Sequence, residues 1–140
     1  MRRRVIIVAV VLGLAACTDS SRVPAACETP ANLMAPLSGV NVSDGVPSTP
    51  SDGTAECTYA GDNGRSVHIY VTTVDAGGRY STESAGGRDI SSVGDEARLF
   101  DRKLYVHQGR EYWIIDIVDP DRDEQSLEVA LIAVANELGL

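Results

Sequence analysis

The strongest constraint on the fold lies between Arg65 and Thr73, where apolar and polar residues alternate one by one. Val67, Ile69 and Val71 fall on one side and His68, Tyr70 and Thr72 on the other. A period of two belongs to a strand that buries one face. A hairpin leads into this strand from Cys57–Ala60 through Gly61-Asp62-Asn63-Gly64, residues that tolerate positive φ. Ala97–Phe100, Lys103–Gln108 and Arg110–Val118 read as a three-strand meander with tight turns at Asp101-Arg102 and Gln108-Gly109.

The period changes to that of a helix at both ends of this region. Asp119-Pro120 marks a helix entrance, with Asp121, Asp123 and Glu124 placing negative charge at the positive end of the dipole. Leu127, Leu131, Val134 and Leu138 recur at helical spacing, Gly139 stops the helix, and its Gln125–Glu128 edge is expected in water. Near the start, Thr29-Pro30 reads as a cap followed by a first-turn proline. Leu33, Met34 and Leu37 form one face, and Gly39 ends this helix. Asn41–Glu56 reads as a loop. Asp75–Ser92, with its Gly77-Gly78 and Gly86-Gly87 pairs, reads as a mobile or binding loop with room for one helical turn. The expected fold is therefore α+β: an antiparallel sheet of about five strands, with an N-terminal short helix and a C-terminal amphipathic helix packed on one face. Its core is expected from Leu33, Leu37, Val67, Ile69, Val71, Leu99, Leu104, Val106, Trp113, Ile115, Ile117, Leu131, Val134 and Leu138.

The first residues bear on location. Arg2, Arg3 and Arg4 precede an apolar run from Val5 to Leu12, then Gly13-Leu14-Ala15-Ala16-Cys17. A basic segment, a short apolar segment and small residues before a cut site are the parts of a secretory signal. The apolar run is too short for a membrane span, which needs about 20 residues. Leu14-Ala15-Ala16-Cys17 resembles the lipobox of bacterial lipoproteins. That resemblance implies a diacylglycerol on the Cys17 thiol, cleavage just before it, and acylation (palmitate, for example) of the new amine. Residues 1–16 are then a lipoprotein signal peptide, residues 17–26 a lipidated tether and residues 27–140 a single α+β domain. From Thr18 to Ala26 the tether reaches at most about 30 Å, which holds the domain on the extracytoplasmic face of the cell membrane.

The leader carries three of the 12 Lys and Arg residues and none of the 20 Asp and Glu, so the mature part holds 9 against 20, a formal charge of −11. Such a surface repels nucleic acid, whose binding rests on neutralising phosphates. It does not adhere to anionic lipid either, which leaves membrane attachment to the acyl chains. With Cys17 assigned to lipid, Cys27 and Cys57 remain as an even pair in an oxidising compartment. Their disulfide contributes about 3–4 kcal/mol in the chain-entropy account. A metal or redox pair lacks a Cys-x-x-Cys motif and a nearby histidine.

In order, the lipobox, Cys27, a short helix, Cys57 opening a strand, Val93-Gly94-Asp95-Glu96-Ala97, strands around Gly109 and a closing amphipathic helix resemble the small secreted lipoproteins of actinobacteria that carry a domain of unknown function. More loosely, the layout is similar to the extracellular sensor domains of some mycobacterial receptor kinases. The resemblance implies location and fold. The family has no common known chemistry.

Gly-x-Ser-x-Gly, Ser-x-x-Lys and His-Glu-x-x-His are absent. His68 and His107 are the two imidazoles; either could act as a base with Asp116, though no nucleophile is implied beside them. Their plain reading is two surface histidines on strands. Asp119–Glu124 lacks the glycine and spaced glutamate of an EF-hand, so no metal and no cofactor is expected. If helices cover the Val67/Ile69/Val71 face, the opposite face collects His68, Tyr70, Arg98, Phe100, Tyr105, His107, Tyr112 and Asp116. This is a candidate binding face, since Tyr and Arg are enriched where proteins meet. The other reading makes it a second minor core under Asp75–Ser92 or the N-terminal helix. The expectation is a non-enzymatic binding or interaction module of the cell envelope, sensor-like or accessory, whose partner is an envelope protein or a small ligand. The alternatives are an extracellular hydrolase using His68 or His107 and a small carrier of an apolar ligand.

Overall fold

The computed structural model describes residues 26–49, 54–73 and 79–140. Helix α1 spans Ala31–Ser38, and strands β1 (Val46–Ser48), β2 (Ala55–Ala60) and β3 (Ser66–Thr72) follow. A short helix α2 (Arg79–Glu83) leads to β4 (Arg88–Asp89), β5 (Glu96–Phe100), β6 (Lys103–Gln108), β7 (Glu111–Val118) and helix α3 (Glu124–Glu137). The strands form one sheet in the order β1-β2-β3-β7-β6-β5-β4, antiparallel throughout. The α+β class and antiparallel sheet agree with the sequence reading, but there are seven strands rather than about five. The additional two are the edges. β1 lies inside the stretch read as a loop and β4 inside Asp75–Ser92; they have three and two residues, all exposed. Strands that short and exposed carry no alternation to read. Their brevity, with Pro47 in the middle of β1, suits edges that should not recruit another strand.

The topology explains the long segment after β3. The chain leaves β3 near the centre, crosses to the far edge at β4, and returns through β5 and β6 until β7 pairs with β3. The crossing covers four strand spacings, about 19 Å, and its helix α2 lies over one face of the sheet. The two longer helices occupy the other face. There Val67, Ile69, Val71, Leu104, Val106, Trp113, Ile115 and Ile117 are at most 4% exposed. They pack with Leu127, Leu131 and Val134 of α3 and Met34 of α1 in one core cluster. Leu37, Leu99 and Leu138 sit at its margin, partly buried. Leu33 is a correction: it is 45% exposed, and Met34 takes the buried position on α1 instead.

The helix starts also differ from the sequence reading. Pro30, in an extended conformation, is the N-cap of α1, not its first helical residue, and no side chain of its own caps it. Asp44 Oδ1 accepts from Ala31 N at 2.8 Å instead, a cap supplied from 13 residues away. Gly39 ends α1 as expected, at φ 69°, donating to Ala35 O. α3 begins at Glu124 and not at Asp119-Pro120. The Asp119–Arg122 stretch forms a turn, with Arg122 N donating to Asp119 O, and Asp123 caps the helix by accepting from Ser126 N at 2.9 Å. Within the expected water-facing Gln125–Glu128 edge, Leu127 is 2% exposed. In the last hairpin Gln108 pairs with Glu111, which makes Gly109-Arg110 the turn.

Cys27 and Cys57 are joined, with Cα atoms 5.4 Å apart. The bridge ties the start of the domain to β2. Tyr59, two residues on and fully buried, donates its hydroxyl toward Thr29 O at 2.9 Å and Ala26 O at 3.3 Å. Burial, with the nearby Asp44 carboxylate, pushes this phenol up to about 12, so it stays a donor. Gly45 lets the preceding segment lie against this knot: a Cβ there would come within 2.8 Å of the Tyr59 ring. Ala26, read as the end of the tether, is fully buried and belongs to the core. Cys17 and the rest of residues 1–25 lie outside the described residues.

Candidate functional site

The face opposite α1 and α3 is built by register. Reading across strands, Thr58, His68, Asp116, Lys103 and Phe100 form one row. Glu56, Tyr70, Ile114, Tyr105, Arg98 and Asp89 form the next, and Thr72, Tyr112, His107 and Glu96 the third. All eight residues expected on a shared face are therefore on it. They are not equally accessible. Tyr80 of α2, 6% exposed, packs on Tyr112, Tyr105 and His107 with ring centroids 5.2, 6.1 and 6.3 Å away. Its hydroxyl donates to Glu96 O at 3.3 Å. Tyr105 and Ile114 become 3% and 8% exposed beneath it, and Tyr105 OH donates to Glu83 Oε2 at 3.4 Å. For Tyr105 the open-face expectation is corrected: the crossing connection builds a small second core there.

The remaining residues stay partly accessible. His107 stacks on Tyr112 (4.6 Å, 13°), and His68 lies parallel to Tyr70 (6.1 Å, 9°). Arg98 is engaged with Glu96 at 2.7 Å and Asp89 at 3.5 Å. Phe100, at the end of its strand, is 39% exposed. Asp116 approaches Lys103 Nζ at 3.7 Å. The expected pairing of a histidine with Asp116 is not what forms. Asp116 is the cross-strand neighbour of His68, yet the carboxylate at the ring is Glu56, its Oε1 3.2 Å from Nδ1. His107 sits two rows from Asp116.

Three hydroxyls complete the cluster of His68 and Glu56, and neither they nor Glu56 are apparent from the sequence pattern. Ser66 Oγ lies 2.9 Å from His68 Nε2. Thr58 Oγ1 donates to Glu56 Oε1 at 3.2 Å, and Ser48 Oγ to Oε2 at 3.4 Å. The side chains of His68 and Glu56 are 23% and 20% exposed. Ser66 was legible in principle, since positions two apart on a strand share a face. Glu56 was not, because its approach depends on the β2–β3 register.

Elsewhere, Asp119 and Asp121 of the Asp119–Glu124 run turn to arginines. Arg65 reaches Asp119 and Asp121, both at 2.9 Å, and Arg122 reaches Asp119 at 3.1 Å. Desolvation pushes the Asp119 carboxyl up, but the hydrogen bond and charge of Arg65, with the charge of Arg122, outweigh it and hold the group below the usual carboxylate range. Arg122 also donates to Ser38 O, joining this turn to the end of α1. Among the described residues no group of three or more His, Cys, Asp or Glu could hold a metal ion, and no helix is long and apolar enough to cross a membrane. A cleft of about 560 Å³ lies where the sheet extends past α3. Leu99, Phe100 and Leu127 line it, and the Arg88–Glu128 ion pair bridges it. Charged residues outnumber apolar ones around it, a poor lining for an apolar ligand. Comparison with protein-family profiles, curated proteins and solved structures finds no match for this chain.

Proposed function

We propose that this chain is a lipid-anchored protein of the cell envelope, of the small actinobacterial lipoprotein type, held at the extracytoplasmic face by Cys17. In this reading it works as a binding or interaction module, sensor-like or accessory to an envelope protein. The observation that carries it is the second face of the sheet, where the Tyr70, His68, Tyr112 and His107 rings remain partly accessible around a small sealed core. Rings with polar edges supply contact area at low entropic cost and suit recognition of a protein or a small polar ligand. The basic-apolar leader, the Leu14-Ala15-Ala16-Cys17 motif and the −11 charge of the remainder support the location.

Two measurements in cells test this. Replacing Cys17 by Ser should release or mislocalise the protein with an unchanged melting temperature; wild-type localisation of the variant overturns the anchor. A photo-crosslinker at position 70 should capture a defined envelope component that a crosslinker at position 129 does not. Val129 is 63% exposed on α3, on the far side of the sheet, so equal capture at both positions, or none at 70, overturns the binding face.

A further inference from the structure

The hydrolase alternative left His68 without a nucleophile, and the fold places one beside it. Ser66 and His68 are two residues apart on β3 and share a face; β2 brings Glu56 to the other side of the ring. The order of contacts is hydroxyl, imidazole, carboxylate: Ser66 Oγ to Nε2 at 2.9 Å, and Nδ1 to Glu56 Oε1 at 3.2 Å. A carboxylate oxygen takes a proton rather than a lone pair, so the Nδ1 side of the ring donates to Glu56. In the neutral ring Nε2 is then bare and accepts the Ser66 O–H. Hydroxyls from Thr58 and Ser48 hold the two Glu56 oxygens, and the parallel Tyr70 ring flanks the imidazole. This is the mutual geometry by which a serine is activated: nucleophile bonded to base, base oriented by a third group.

We propose that Ser66, His68 and Glu56 form a nucleophilic relay that acylates Ser66 from small activated acyl esters and then releases the acyl group to water. This goes beyond partner capture and does not depend on it. In the first half, Ser66 Oγ bonds to the ester carbonyl carbon as its proton passes to Nε2. The tetrahedral adduct collapses, the bond to the leaving oxygen breaks, and the departing alcohol takes the proton from Nε2. In the second half, Nε2 takes a proton from water, whose oxygen attacks the acyl carbon; the acid leaves and Ser66 regains its proton. Ester and water become acid and alcohol, with no oxidant or reductant. Glu56 is a positioning residue that holds the tautomer and stabilises the imidazolium.

The charges facing the ring set the substrate class. Asp116, the cross-strand neighbour of His68, is a carboxylate, and Lys103 is drawn to it at 3.7 Å. The relay thus supplies a nucleophile and a base with little positive charge for a developing oxyanion. General-base assistance contributes about 10²–10⁴-fold. That suffices for esters whose leaving group departs readily, such as aryl esters, and favours accumulation of acyl-Ser66.

The test uses the full chain in detergent, with p-nitrophenyl acetate and a fluorophosphonate probe, followed by peptide mapping. The expected result is a single adduct on Ser66, formed about 10²-fold faster than the background acylation of Ser66→Ala, with His68→Ala equally slow. Mapping of the wild-type adduct decides the site even if a variant misfolds: an adduct elsewhere, or none, overturns the proposal. Glu56→Gln should lower the acylation rate constant about tenfold with the KM for the ester unchanged, because the forming imidazolium loses its carboxylate. A wild-type rate within twofold of Ser66→Ala, or a Glu56→Gln effect confined to KM, overturns the relay.

Discussion

The two faces of the sheet are made by the same alternation and have different physical characters. On one, aliphatic residues and Trp113 pack with α1 and α3 in one continuous buried cluster. On the other, Tyr80 packs over Tyr105 and Ile114 with Tyr70 and Tyr112 at the margin, and most of the remaining side chains are polar or charged. Apolar burial stabilises at roughly 25 cal/mol per Å², so the first face carries the fold. The second can afford polar groups in mutual contact, and it is there that the proposed binding surface and the Ser66–His68–Glu56 cluster lie. The division of labour follows from connectivity as well. Both longer helices are used on one side, and only a short crossing segment is left for the other.

Neighbouring residues in β7 provide the sharpest way to break this contrast. Ile115 is fully buried among core residues, whereas Ile114 faces the second side at 8% exposure. Ile115→Ala is expected to cost about 3–5 kcal/mol in urea unfolding, and Ile114→Ala about 2 kcal/mol or less, because a small cluster at the surface can relax into the space left behind. Equal losses would mean that the second cluster is a core in its own right. Next in size is the disulfide, whose Cys57 is fully buried on the helix-covered face. Replacing both Cys27 and Cys57 by Ala should lower stability by about 2–4 kcal/mol and move the melting temperature down.

The smallest effect concerns the turn that locks α3 to the β2–β3 hairpin. Asp119 is held below its ordinary range, so its contribution is fully present above the unfolded carboxylate value and is lost as pH falls through the lower folded value. The stability gap between wild type and Asp119→Asn should therefore be constant near neutral pH and shrink below about pH 4. A gap that persists unchanged at pH 2 would show that the contact stabilises through shape and not charge.

Much of the core face was readable in advance. Val67, Ile69 and Val71 announce their strand by alternation, and β5 and β6 fall within a residue of the expected bounds, as does the start of β7. Leu127, Leu131 and Val134 likewise mark the buried stripe of α3. The errors cluster where local pattern is weak. β1 and β4 are stabilised by a neighbour and not by their own residues. The start of α3 reads too early in the sequence because Asp119-Pro120 is as good a turn as a helix entrance. Leu33 reads as core because spacing within a short helix does not specify which of two adjacent apolar residues meets the sheet.

The sequence by itself determined the sheet's central alternation, the apolar stripe of the closing helix and the even pair of cysteines, because these depend on near-neighbour spacing and on counting. The tertiary structure decided the strand order, the second small core under Tyr80, and the approach of Glu56 and Ser66 to His68. Those depend on register and on the route of the crossing connection: contacts between residues far apart in the chain, whose geometry is set only when the whole sheet closes.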